Sequence, residues 1–133
     1  MEWNRVFLLL KRSIASPQGG LWTAAPGGKI ESGETPLQAV VREIREETSI
    51  CRREEQITFI HTVYYQYPDS SYKLHLFYSH LDQKPEVHLD EKEHTEYSWK
   101  TLRQARTIPI MRGGKECITF VLDWLEGNGK PQS

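Results

Sequence analysis

Three glutamates in the first half of the chain, Glu43, Glu46 and Glu47, stand at helical spacing in a strongly charged stretch. On an α-helix at about 100° per residue they fall at roughly 0°, 300° and 40°, so their carboxylates share an arc of about 100°. Leu37, Val40, Val41 and Ile44 occupy roughly 60° to 160° of the same wheel, and docking that side on a core turns the acids toward a groove. Like charges that close raise one another's pKa unless a cation is present. A divalent ion removes the conflict, and hard oxygen donors without a local His or Cys cluster point to Mg²⁺, with Mn²⁺ as the alternative. The same residues also suit the solvated face of a surface helix, with Arg42 and Glu46 as an ordinary side-chain pair. What precedes the helix favours the ion. Pro26-Gly27-Gly28-Lys29 is a tight loop, and Gly28 has no side chain to keep its carbonyl from a metal.

Several elements are needed to position these groups. Thr35 is the N-cap candidate of the acidic helix and Pro36 its first residue, where the missing amide proton costs nothing. Val6 to Leu10 reads as a strand buried on both faces, and Leu21 to Ala25 as a short extended segment between two Pro/Gly loops. Ile57 to Tyr67 and Tyr72 to Leu81 are rich in β-branched and aromatic residues and flank Pro68-Asp69-Ser70-Ser71, the pattern of a hairpin. Asp82 to Thr95 is expected as a long surface loop before a short strand, Glu96 to Lys100. Ile118, Val121, Leu122 and Leu125 predict a second helix stopped by Gly127. Residues 1–126 form one domain on this reading, and 127–133 a polar, disordered tail.

The 133 residues, with 17 Lys+Arg against 18 Asp+Glu, carry a formal net charge of −1. One domain of this size can bury its own core. The balance excludes a whole-chain polyanion binder, so no polymeric nucleic acid is expected, and no apolar run is long enough for a membrane span. A soluble, cytoplasmic protein is expected, with Cys51 and Cys117 as incidental or buried thiols. The five histidines show no local ligand spacing, and only His94, beside Glu93, stands near a candidate acid.

Gly28, five residues, Glu34, seven residues, and then Arg42-Glu43-Ile44-Arg45-Glu46-Glu47-Thr48-Ser49-Ile50 resembles the Nudix box of the Nudix hydrolases. The box covers 23 of the 133 residues, and all its fixed positions but one match. Trp22 ahead of the loop and Glu93-His94-Thr95-Glu96-Tyr97-Ser98-Trp99 after it are also similar to the small MutT-type members. The resemblance implies an α/β Nudix fold, a mixed β-sheet sandwiched between α-helices. It implies that Glu43, Glu46 and Glu47 ligate catalytic Mg²⁺ together with the Gly28 carbonyl, that Arg42 orients Glu43, and that Glu34 is a supporting carboxylate. Lys29 would lie near the phosphates or the leaving group. A further carboxylate from a later loop is implied as metal ligand or general base, with Glu93 the candidate and Glu86, Asp90, Glu91 and Glu96 its rivals. The expected chemistry is hydrolysis of a nucleoside triphosphate to monophosphate and pyrophosphate, in which divalent cations neutralise the diphosphate and a carboxylate takes the proton of water. Dinucleoside polyphosphates or nucleotide sugars as substrates, or a nucleotide-binding regulator without turnover, are the other readings.

Three departures from the family pattern carry expectations of their own. Ser49 replaces the last glycine of the box, where a left-handed helix end should cost on the order of 1 kcal/mol or shift the cap. Thr23-Ala24-Ala25 places one extra residue between Trp22 and Pro26, which suggests a roomier or shifted base pocket. Only five residues precede Val6, so either the true start lies upstream or the sheet lacks its first strand. An open edge there would invite a homodimer. Trp22 and Tyr67 are the candidate base-binding rings, Tyr67 standing about where dinucleoside polyphosphate hydrolases of the family carry a tyrosine. Ile108 to Glu116 holds no asparagine of the kind carried by oxidised-guanine-selective members.

Overall fold

Phe7-Leu8-Leu9-Leu10 has no hydrophobic alternation because both faces of its strand are covered. Leu8, Leu9 and Leu10 are all fully buried. The computed structural model describes residues 1–23 and 30–127. Its elements run β1 (Glu2–Trp3), β2 (Val6–Arg12), β3 (Trp22–Thr23), α1 (Pro36–Thr48), a 3₁₀ turn (Glu54–Gln56), β4 (Thr58–Tyr67), β5 (Ser70–Tyr78), β6 (His94–Lys100), α2 (Leu102–Ala105) and α3 (Gly114–Gly127). Leu8 and Leu10 pack in one cluster with Ile44, Ile50, Ile57 and Leu81, joined by Leu37, Val40 and Val41 of α1. Phe7 and Leu9 face the other way, onto Tyr78, Leu102, Ala105 and Ile118. The sheet therefore lies between α1 on one face and α2 with α3 on the other, the expected sandwich. Burying each such leucine contributes about 1.5–3 kcal/mol, which makes β2 the strand that holds both layers.

β2 pairs antiparallel with β6 along one flank, from Phe7 opposite Lys100 to Arg12 opposite His94. β1 and β3 share its other flank, with Trp3 opposite Val6 and Trp22 opposite Lys11. The expectation of a missing first strand is thus overturned. β1 is present, two residues long, and the open edge on which the homodimer expectation rested is filled. Local physics closes this hairpin. Asn4 and Arg5 both take positive φ, 48° and 67°, as a two-residue primed turn requires, and the Arg5 amide donates to Glu2 Oε2 at 2.6 Å.

β1 also joins the sheet to the long β4–β5 hairpin. The Glu2 amide donates to the Ser79 carbonyl at 2.9 Å and the Leu81 amide to the Glu2 carbonyl at 2.7 Å, a parallel bridge that makes the sheet mixed. The Glu2 side chain is 1% exposed, accepts from Tyr78 Oη at 2.7 Å and meets His80 Nδ1. Burial pushes its carboxyl pKa up, but the His80, Tyr78 and Arg5 hydrogen bonds outweigh this and hold it below the ordinary range.

β4 and β5 pair from Thr58 opposite Tyr78 to Tyr67 opposite Ser70, so β5 begins two residues earlier than the composition indicates and Pro68-Asp69 form the turn. The hairpin docks on α3 through Tyr65, whose hydroxyl donates to the Gly113 carbonyl at 2.7 Å. Gly113 has φ +85°, and a Cβ there would lie 2.8 Å from the Tyr65 ring, so only glycine fits this bend. β6 starts at His94, not Glu96, because its pairing with β2 runs on to Arg12. Gly127, expected to open the tail, closes α3, and 128–133 lie outside the described residues. Among the described residues no helix is long and apolar enough to cross a membrane.

α1 ends as its sequence demands. Ser49 sits in the left-handed region at φ 65° and ψ 13°, its amide donating to the Arg45 carbonyl at 2.9 Å, so the cap has not shifted. Relieving that strain with Ser49→Gly should stabilise the fold by about 0.5–1 kcal/mol in urea unfolding, despite losing the exposed bond from Ser49 Oγ to the His88 carbonyl. A Ser49→Gly variant no more stable than the parent would contradict this. Glu2→Gln should cost about 1.5–3 kcal/mol at pH 7. The Glu2 pKa is depressed by folding, so its contribution is present above the unfolded value and lost as pH falls through the folded one. Unfolding curves of parent and variant should therefore converge below about pH 4.5; a gap that stays constant with pH would refute the assignment.

Candidate active site

The acidic helix begins where local chemistry starts it. Thr35 Oγ1 accepts from the Gln38 amide at 3.1 Å, Gln38 Oε1 accepts from the Thr35 amide at 3.0 Å, and Pro36 follows the cap. With Leu37, Val40, Val41 and Ile44 turned to the sheet, Arg42 emerges on the other side and becomes a hub. Its guanidinium grips Glu34 with two bonds, Nε to Oε2 at 2.7 Å and Nη2 to Oε1 at 3.0 Å. Nη1 donates to Glu43 Oε1 at 2.6 Å and to Glu46 Oε1 at 3.1 Å, and Nε lies 3.3 Å from Glu31 Oε1. Arg42 thereby supplies positive charge to four carboxylates and fastens the Glu31–Glu34 turn, in which Glu34 also accepts the Glu31 amide at 2.9 Å. The bond from Arg42 and then that from the Glu31 amide hold the Glu34 carboxyl below the usual range. The Arg42–Glu46 pair and the pairing of Arg42 with Glu43 both exist.

Glu47 leaves that group. Its residue is 4% exposed, and it points to the loop ahead of β6. The last carbonyls of α1 have no partner within the helix, and that loop supplies them: the His88 amide donates to the Thr48 carbonyl at 3.0 Å and the Asp90 amide to the Glu47 carbonyl at 3.4 Å. The loop then turns through bonds from the Glu93 and His94 amides to the Asp90 carbonyl, each 3.0 Å, and Ser13 donates to the Glu93 carbonyl at 2.8 Å. A bulge completes the arrangement. Lys11 faces Glu96 but Arg12 faces His94, so Thr95 is an extra residue in β6. Tyr97 and Trp99 stand opposite Leu10 and Leu8, on the α1 side; regular alternation would have put His94 on the other side with Glu96. The bulge turns His94 to the α1 side, where Arg12 lies.

The result is a group of three donors from two places in the chain. Ligand atoms of Glu47, Glu93 and His94 all lie within 4.8 Å of one another, the one such group among the described residues. His94 is 1% exposed, its Nδ1 is 3.3 Å from Glu47 Oε1, and neither ring nitrogen makes a hydrogen bond among the described residues. Burial, followed by the charge of Arg12, pushes the imidazole pKa down, so the ring is neutral at neutral pH and able to offer a lone pair. Two carboxylates and one buried, neutral imidazole without a hydrogen bond among the described residues fit a divalent cation. Among the described residues, Glu43 and Glu46 stand outside this group, and Arg42 engages both.

Of the acids expected to rival Glu93, Glu96 pairs with Lys11 Nζ at 3.3 Å, Asp90 Oδ1 accepts the Lys92 amide at 3.1 Å, and Glu86 lies 3.5 Å from His88. Glu91 is exposed and joins no such group. Gly28 and Lys29 lie outside the described residues. Trp22 is half-buried against the α3-side cluster, its amide donating to the Pro109 carbonyl at 2.8 Å and its carbonyl accepting from the Met111 amide at 2.9 Å. Tyr67 stacks on Tyr65 with centroids 5.9 Å apart, and the Arg112 guanidinium lies 3.9 Å from its ring centre. An open cleft of about 510 Å³ runs between β4 and α3, lined by His61, Tyr64, Tyr65, Tyr67, Glu116 and Phe120 among others. It shares no residue with the Glu47 group, so the cleft is not where the acids would act. The approach of His94 to Glu47 had one sequence signal, its position beside Glu93; the bulge that aims it had none.

The NUDIX domain profile matches residues 2–120. The 8-oxo-dGTP diphosphatase of Proteus vulgaris is 42% identical over 74 residues, 56% of this chain and 62% of that protein, so the match spans less than two thirds of its length. The CTP pyrophosphohydrolase of Escherichia coli K12 is 35% identical over 112 residues, 83% of this chain and 77% of that protein. The crystal structure of a MutT protein from Methanosarcina mazei Go1 superposes with a TM-score of 0.76 at 26% identity, covering 97% of this chain and 90% of that one. The box on α1, the sandwich around β2 and these likenesses agree, and the chain belongs to the Nudix family.

Proposed function

We propose that this protein hydrolyses a nucleoside triphosphate to the nucleoside monophosphate and pyrophosphate with the help of a divalent cation, Mg²⁺ or Mn²⁺. The observation that carries the reading is the meeting of Glu47, at the end of the box helix, with Glu93 and His94. The two relatives named for single nucleoside triphosphates, 8-oxo-dGTP and CTP, support a substrate of that class.

Glu47 and Glu93 would hold the cation, with Glu46 next to Glu47 and Glu43 one turn back on the helix, and the Gly28 carbonyl as a further oxygen donor. The cation supplies neutralisation of the diphosphate oxygens and acidification of the attacking water. Arg42 orients Glu43 and Glu46 through one guanidinium and keeps Glu34 ionised as the anchor of the preceding turn. Glu46, more than half exposed and bonded to Arg42 through Oε1, is the carboxylate we assign to take the proton of water. Lys29 would compensate charge on the departing phosphate, and Trp22 and Tyr67 would offer rings to the base.

The test is turnover on a panel of nucleoside triphosphates, including CTP and 8-oxo-dGTP, beside dinucleoside polyphosphates and nucleotide sugars, with products identified. A monophosphate and pyrophosphate pair is expected, with kcat reduced roughly 10²–10⁴-fold in a folded Glu46→Gln variant. Cleavage confined to the dinucleoside or sugar substrates would replace the substrate class. Nucleotide binding without any turnover would make the protein a regulator instead.

A further inference from the structure

We infer that His94 is itself a ligand of the divalent cation, so that Glu47, Glu93 and His94 form a mixed oxygen and nitrogen site that favours Mn²⁺ over Mg²⁺. The inference rests on the cation-dependent reading above and adds a donor to it. Three observations carry it. The His94 ring is 1% exposed and neither nitrogen has a hydrogen-bond partner among the described residues, a state that buried polar groups rarely keep unless something else satisfies them. Its Nδ1 nevertheless stands 3.3 Å from Glu47 Oε1. Ligands at right angles on an ion with bonds of about 2.1 Å are about 3.0 Å apart, and opposite ligands about 4.2 Å. The group's 4.8 Å limit is therefore close to one coordination sphere, and the short contact that forms no hydrogen bond has the spacing of neighbouring ligands.

The third observation is the bulge. Thr95 is the extra residue that turns His94 away from the side of Glu96 and toward α1, and bulges of this kind re-aim side chains beside functional sites. A histidine meant only to fill the core needs no such device. Adding an imidazole to carboxylates moves the preference from Mg²⁺, which takes oxygen, toward first-row transition ions.

The test uses the whole chain and Mn²⁺ itself. Electron spin echo envelope modulation of the bound Mn²⁺ should show the coupling of a directly bonded ¹⁴N, and a folded His94→Gln variant should lose it. In competition titrations the ratio of Mn²⁺ to Mg²⁺ affinity should fall at least tenfold in that variant. Should His94→Gln fail to fold, the parent chain labelled with ¹⁵N-histidine must show the ¹⁴N pattern replaced by that of ¹⁵N. Mn²⁺ bound with oxygen couplings alone would overturn the inference and leave the hydrolase reading intact. A chain that binds neither ion and turns over no nucleotide would overturn both.

Discussion

The carbonyl groups that an α-helix leaves unpaired at its C-terminus are a local problem with a long-range solution in this protein. Glu47 and Thr48 end α1, and their carbonyls accept from Asp90 and His88, some forty residues away in sequence. That tether fixes the loop before β6 against the helix, and the acidic group depends on it. Without it Glu93 would be one exposed carboxylate among several on a polar loop. With it, the Glu93 side chain is delivered to a carboxylate that the core has already buried. Ser49 belongs to the same joint, since its left-handed backbone ends the helix and its hydroxyl donates to the carbonyl of His88.

The charges of the box helix are resolved in two different ways. Glu43 and Glu46 are balanced within the protein by Arg42, whose planar fork can meet several carboxylates at once. Glu47 is turned instead to the loop ahead of β6, beside Glu93 and His94. This division separates the carboxylates gathered by one guanidinium from the one packed against the loop ahead of β6.

What could be read from the sequence was what neighbouring residues decide. Thr35, Pro36 and the spacing of Leu37, Val40, Val41 and Ile44 define α1 because capping and amphipathicity act within a few residues. The strand character of Leu8-Leu9-Leu10 is legible for the same reason. β1 escaped because two residues carry no periodicity and are held by Ser79 and Leu81, from the distant segment that follows β5. α2, only four residues long, left no pattern, although Thr101 and Gln104 cap it as Thr35 and Gln38 cap α1. The partition of the glutamates between Arg42 and the β6 loop was hidden too, because it depends on tertiary contacts; the wheel that groups Glu43, Glu46 and Glu47 describes directions, not partners.

The bulge at Thr95 makes the spacing of β6 as informative as its composition. In a two-sided strand, the side on which a residue stands is a matter of counting, and one surplus residue changes the parity of everything before it. His94 and Glu93 are on one side of that count, while Tyr97, Ser98 and Trp99 are on the other and pack as an ordinary strand. Were Thr95 instead to pair regularly opposite Arg12, every chemical group would be kept and the core pairing of β6 would be unbroken, yet the imidazole would stand on the other face. The information that builds this corner of the molecule is thus partly held in pairing register, which composition alone does not state.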